Sequence, residues 1–313
     1  MYDASSDIYE CMKRYDNVPG DQATNRNAPV TVIRLQLTED DCVGKRKGRG
    51  IEGPVFVYYR VEKFYQTHRL LFESRNEEQL RGKIVTSRTD LEGCEPWIEV
   101  TDPNSTDPTD PTSSYYGKLL LPCGMFAKSV FNDTFEFSDA AGPLRVDTRA
   151  ETISWNTERK HKYHNPPNSG RVVEWLKTYV PTSQGEFNPY RTDTGTELIF
   201  PGGIEDGHFM NWMRLAGLPN FRKLWGKINQ DVALPVTVTI QSRWPVKSFG
   251  GEKWIILSTV TWLGGRNFFL AYSYFIVGGC CFIFGVFFLI RHWTDYRELG
   301  DVDFVALSQP GNK

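Results

Sequence analysis

The chain has 313 residues, with 36 Lys and Arg against 38 Asp and Glu, a formal net charge of −2, a pI near 6.2 and a mean hydropathy of −0.42. Such a slightly acidic chain lacks the basic field that a nucleic-acid partner requires, and so hydrophilic an average leaves no room for the many spans of a channel or carrier. The length suits one large domain or two small ones and is ample for a buried core.

Taken in chain order, the N-terminal segment MYDASSDIYECMKRYD has neither a basic n-region nor an apolar h-region, so it does not read as a signal peptide. A first strand is predicted in PVTVIRLQL, through Val30, Val32, Leu35 and Leu37. The cluster KRKGR, Lys45 to Arg49, lies between Gly44 and Gly50 and predicts a solvated turn; contact with lipid headgroups or a partner is the alternative. In PVFVYYRVEKF the residues Val55, Val57, Tyr59 and Val61 alternate with polar or aromatic neighbours. TDPNSTDPTDPTSS, Thr101 to Ser114, reads as an exposed insertion, and Pro103, Pro108 and Pro111 preclude the winding of an EF-hand loop.

His161 and His164 lie three apart in ERKHKYHNPP beside Lys160 and Lys162; a metal site usually recruits a carboxylate or thiolate as well, so they predict a surface or structural pair rather than a metal site. A helical region is expected from His208 to Ile228, with Phe209, Trp212, Met213 and Ala216 on its apolar face and an interruption at Pro219 before FRKLWGKI. Val236, Val238 and Ile240 alternate with Thr237, Thr239 and Gln241, and WIILSTVTW, Trp254 to Trp262, is β-branched and aromatic. These period-two runs predict a mainly β fold, an antiparallel, sandwich-like domain with long loop insertions and a few short helices.

Phe268 to Ile290 reads FFLAYSYFIVGGCCFIFGVFFLI, 23 consecutive residues without a charge, between Arg266 and Arg291. As a helix it would be roughly 34 Å long, enough to cross the ~30 Å hydrocarbon core of a bilayer. It predicts one transmembrane helix, residues 268–290, after a large domain of residues 1–267 and before a tail of residues 291–313. The large domain holds four cysteines (Cys11, Cys42, Cys94, Cys123), an even number suited to two disulfides, and two N-x-S/T sequons, at Asn104 and Asn132. Together they predict an extracytoplasmic domain and a cytosolic tail. An upstream targeting segment, missing from this sequence, is then expected. Cys280 and Cys281 lie within the span and read as small apolar residues or palmitoylation sites.

The sequence shows no G-x-S-x-G elbow, P-loop, G-x-G-x-x-G or H-E-x-x-H motif. No catalytic residue, cofactor or metal ligand is therefore assigned.

Five strings carry a resemblance: GPVFVYYRVEKFYQTHRLLFESRNEEQLRG (Gly53 to Gly82), LPCGMFAKSVFNDTFEF (Leu121 to Phe137), ISW with HNPP (Ile153 to Trp155, His164 to Pro167), FMNWMRLAGLPNFRKLWGKI (Phe209 to Ile228) and WPVKSFGGEKWIILSTVTWLGGRNFFL (Trp244 to Leu270). In this order the chain resembles the cell-cycle control protein fifty family, also called the ligand-effect modulator three family, whose members are β subunits of the type IV P-type ATPases that flip phospholipids. The resemblance runs from about Gly53 to Arg291; Leu215, Gly217 and Lys63 depart from the family pattern, Lys63 standing where the family tends to have Asn. Family members carry two transmembrane helices around a glycosylated, disulfide-bonded ectodomain.

The resemblance implies a non-catalytic accessory subunit that folds with its ATPase, accompanies it from the endoplasmic reticulum to Golgi, endosomes or plasma membrane, and supports aminophospholipid transport. It also suggests a Cys94–Cys123 disulfide, which leaves Cys11 to pair with Cys42, and a glycan on Asn132 in the F-N-D-T string; loop composition adds Asn104. On the span, Ala271, Tyr274, Gly278, Cys281 and Gly285 share a mostly small helical face that would admit a neighbouring helix. The Gly-rich junctions Phe249 to Gly251 and Leu263 to Gly265 read as turns, at the membrane interface against a partner or simply as turns. The alternatives are a tethered receptor or lectin-like ectodomain acting alone, or a tethered hydrolase with unrecognised acids.

Overall fold

The computed structural model describes residues 8–17, 31–44, 50–99, 117–167, 172–176, 180–182, 185–187, 200–260 and 268–294. The chain divides into two compact units, residues 1–265 and 266–313. The turn at Lys45 to Arg49, the insertion with Asn104, the Leu263 to Gly265 junction and the tail beyond Thr294 lie outside the described residues.

Two sheets organise the first unit. Their strands are β1 (Glu10–Arg14), β2 (Thr31–Leu37), β3 (Cys42–Val43), β4 (Val55–Glu62), β5 (Thr134–Asp139), β6 (Gly142–Leu144), β7 (Val146–Asp147), β8 (Phe221–Ile228), β9 (Val236–Ser242) and β10 (Glu252–Ser258). The larger sheet has the order β3-β1-β10-β4-β8-β7 and the smaller β2-β9-β5-β6. All neighbours in both are antiparallel. Both sheets are open. Short helices α1 (Arg69–Glu73), α2 (Glu77–Leu80), α3 (Met125–Lys128), α4 (Ala150–Ile153), α5 (Asn156–His161) and α6 (Gly207–Met213) fill the connections. The fold is therefore mixed, with more helix than the strand patterns alone suggest.

The alternation in the sequence becomes burial. Val55, Val57, Tyr59 and Val61 of β4 all face the core, as do Val236, Val238 and Ile240 of β9. Each such side chain contributes roughly 1.5–3 kcal/mol when removed from water. In β2 the inward set is Ile33, Leu35 and Leu37, while Val32 is exposed, because the strand begins at Thr31 and its pleat fixes the odd positions inward. Aromatic rings bridge the two sheets. Phe135 and Phe137 of β5 approach Trp225 of β8 at 5.2 and 6.2 Å, and Tyr15, just past β1, meets Phe135 at 5.9 Å.

Two sequence expectations require correction. The helix expected over His208 to Ile228 covers only Gly207–Met213; Phe221–Ile228 is strand β8, paired along its length with β4. The buried members of β8 include Phe221, Lys223, Trp225 and Ile228, so a lysine occupies an inward position and masks the period of two. A bulge between Leu224 and Gly226 then shifts the phase. The strand predicted from Trp254 to Trp262 starts at Glu252 and ends at Ser258, and Trp262 lies outside the described residues.

The second unit holds α7 (Phe268–Thr294), which continues past the apolar run through Arg291 and His292. Its stretch Ala271–Thr294 is long and apolar enough to span a bilayer, and none of it is buried inside the protein.

Candidate functional site

The most ordered chemistry of the first unit is a buried charge pair. Lys253 on β10 donates from Nζ to Asp133 Oδ2 at 2.8 Å, to Ser242 Oγ at 2.7 Å and to the Trp244 carbonyl at 2.7 Å. Both charged side chains are fully buried. Asp133 also accepts from the Tyr15 hydroxyl at 2.8 Å and, through Oδ1, from the backbone N–H groups of Arg243 and Trp244 at 2.6 and 2.7 Å. All three ammonium hydrogens and both carboxylate oxygens are thus engaged, the condition under which a buried ion pair is tolerated. The network ties the segment before β5 to β9, β10 and the chain after β1. Its carboxylate belongs to the F-N-D-T string, which sequence reasoning treated as a sequon; the signal in that string is the aspartate.

A second buried cation stands on β8. Lys223 Nζ donates to the carbonyls of Asn211 and Trp212 at 2.8 Å each and to that of Arg214, closing the C-terminal end of α6. Burial pulls the Lys223 ammonium well below its ordinary range, Arg214 adds to this, and Glu158 opposes it. Arg214 pairs with Glu158 at 2.7 Å and lies 4.3 Å from the Trp155 ring centroid. The W-M-R and F-R-K-L-W strings are one helix end and the strand that caps it. Buried Gln79 acts similarly, donating to the Leu120 carbonyl at 3.1 Å and accepting from the Cys123 N–H at 2.8 Å.

The cysteines close two local loops. Cys11 is bonded to Cys42, directly opposite it across β1 and β3, and Cys94 is bonded to Cys123. Asn132 is 2% exposed, so its amide is out of reach of a transferase in the folded domain, and a glycan there would have to be added before the Phe131–Asp133 segment packs. His164 rests against the Lys160 carbonyl at 3.2 Å and lies 3.9 Å from Glu205, while His161 is exposed; the two do not converge. Among the described residues no cluster of His, Cys, Asp and Glu could hold a metal ion. The Phe249 to Gly251 junction is a turn in which Gly250 adopts φ +64° and a Cβ on Gly251 would come within 2.8 Å of the Glu62 carbonyl.

On α7, residues 271, 274, 278, 281 and 285 fall on one side of the helix, and a Cβ added at Gly278 or Gly285 would meet nothing. Cys280 and Cys281 are free and exposed.

The sequence matches the LEM3 (ligand-effect modulator 3) family, also called the CDC50 family, over residues 1–298. The chain belongs to that family. It is 32% identical over 323 residues to ALA-interacting subunit 3 of Arabidopsis thaliana, covering 99% of this chain and 80% of the relative. It is 33% identical over 254 residues to cell cycle control protein 50A of Rattus norvegicus, covering 77% and 72% of the two chains. With cell cycle control protein 50B of Homo sapiens it shares 32% over 268 residues, covering 80% and 70%. Membership makes the chain a membrane-associated, non-catalytic accessory protein.

Proposed function

We propose that this chain is the accessory subunit of a phospholipid-translocating P-type ATPase, needed for the folding, endoplasmic-reticulum exit and activity of its catalytic partner in aminophospholipid transport. The observation that carries the reading is the family match across residues 1–298, joined to a 24-residue apolar helical stretch with no part buried in its own chain. A helix of this kind meets lipid or another helix, and the face of Ala271, Tyr274, Gly278, Cys281 and Gly285 is the one that admits close approach. In this reading the β-rich unit is a sandwich-like ectodomain on the lumenal or extracellular side, where Cys11–Cys42 and Cys94–Cys123 are stable. Asn132, modified before its segment packs, and Asn104 then carry glycans, and the tail faces the cytosol. The complex works from the endoplasmic reticulum through Golgi and endosomes to the plasma membrane.

Purification of the tagged chain in a mild detergent tests this directly. A P-type ATPase recovered in equal amount is the expected result; a protein that purifies alone, from cells expressing such ATPases, removes the proposal and leaves a stand-alone receptor or lectin-like ectodomain. Glycosidase treatment reads the topology: unchanged gel mobility would place the domain in the cytosol.

A further inference from the structure

A cavity of about 340 Å³ opens beside β5, where pairing with β6 begins only at Phe137 and leaves Thr134 to Glu136 with no strand neighbour on that side among the described residues. Its wall holds an unbroken run of rings. Tyr59 stacks on Phe131 at 3.9 Å, Phe131 lies 6.3 Å from Phe135, Phe135 lies 5.2 Å from Trp225, and Trp225 lies 5.3 Å from His208.

Two polar groups on this wall are idle. The Tyr59 hydroxyl, on a residue only 3% exposed, makes no hydrogen bond among the described residues, and neither does the His208 ring. Burial lowers the His208 pKa, so at neutral pH the imidazole adds no positive charge. Carboxylates complete the lining. Asp133 is neutralised by Lys253, whereas Glu136 has no ionic partner among the described residues, and Asp206 uses one oxygen to cap α6 and leaves the other unpaired. No Lys or Arg is among the described lining residues; Arg243 hydrogen-bonds the lining residues Thr134 and Gln241, and Arg149, next in sequence to the lining Thr148, is paired with Asp147. With Arg149 offset by Asp147, three lining carboxylates against Lys253 and Arg243 leave the described part of the site negative.

A negative, aromatic-walled recess with a free phenol and a neutral imidazole suits one ligand chemistry. Ring faces attract a diffuse cation, the unpaired carboxylates supply the opposite charge, and the phenol offers a hydrogen bond to a hydroxyl or ester oxygen. We propose that this cavity binds a small organic ammonium ion, a choline- or ethanolamine-like group, either free or as the headgroup of a lipid. The proposal does not depend on the ATPase partnership and would hold for a chain acting alone.

The test uses the full chain, with any partner it carries, in a maltoside detergent free of choline lipids. Choline is titrated by calorimetry against 3,3-dimethyl-1-butanol, which has the same shape without the charge. Saturable choline binding, with the neutral isostere weaker by about tenfold or more, is expected. Glu136→Gln, at an exposed position, should weaken choline several-fold, and Trp225→Leu about tenfold, each read on protein whose thermal transition shows it folded. Nanodiscs of phosphatidylcholine compete with free choline, relative to phosphatidylglycerol, if a headgroup enters; absence of competition assigns the site to the free ion. Equal binding of choline and its isostere, no saturable binding, or an unchanged Glu136→Gln titration overturns the proposal.

Discussion

The two units of this chain treat their side chains in opposite ways. Residues 1–265 bury a lysine and an aspartate completely and engage each hydrogen-bonding group on both. The helix Phe268–Thr294 of the second unit exposes Phe275, Ile276, Phe282, Ile283 and Phe288 at 65–76% of their surface and holds no charge from Ala271 to Ile290. The first unit resolves the cost of this buried pair internally. The second leaves large apolar surface that water cannot accommodate, and its partner must be lipid or another helix. Stability of the first and association of the second should therefore be separable by mutation.

The sharpest break in that comparison is Lys253→Met or Asp133→Ala. Either leaves one charge buried and unpaired, and should cost about 3–5 kcal/mol, a large share of a typical domain's 5–15 kcal/mol. Thermal unfolding and protease resistance report it. The double variant Lys253→Met with Asp133→Ala should cost less than the sum of these two single changes; strict additivity would show that the two groups do not act as a pair.

Removing either disulfide should cost about 2–4 kcal/mol on the chain-entropy model, and the two losses should be similar because the bridges span 31 and 29 residues. Non-reducing peptide mapping that joins Cys11 to Cys94, or finds four free thiols, would contradict the connectivity.

Gly278→Leu with Gly285→Leu tests the other side of the comparison. The thermal transition of the β-rich unit should stay unchanged while the amount of co-purifying ATPase falls several-fold. A matching loss of thermal stability would merge the two roles.

Lys63 sits at φ +60°, the left-handed region in which asparagine and glycine are at home. Lys63→Asn, which places there a residue that tolerates this conformation better, should stabilise the first unit by about 0.5–1 kcal/mol, seen as a higher urea midpoint.

The smallest effect concerns Asp41. Partial burial raises its pKa, but hydrogen bonds from the Thr38 backbone and Lys13 outweigh it and hold the carboxyl below its ordinary 3.8. A carboxylate lowered on folding stabilises above the unfolded pKa and loses that contribution as pH falls toward the folded one. Acid titration of stability should therefore flatten slightly below about pH 4 in Asp41→Asn. Solvent screening keeps the difference small.

Much of this was legible in the residues themselves. Val55 to Val61 and Val236 to Ile240 announce strands because a pleat with one buried face writes its period into contiguous positions. Phe268 to Ile290 announces a membrane helix because length and apolarity are local quantities. Phe221–Ile228 was misread because an inward lysine and a bulge erase that period, and only the carbonyls at the end of α6 explain why a lysine can lie there. Asp133 and Lys253 stand 120 positions apart and become partners only when β9 and β10 bring their segments together. The rings of the cavity come from β4, β5, β8, α6 and the segment before β5, and no spacing in the sequence foretells their meeting. Local pattern determined the strands with an unbroken period and the long apolar helix, since each is a property of neighbours along the chain; the strand through Lys223, the pairing of buried charges and the enclosure of space were left to register and sheet packing, which distant residues set jointly.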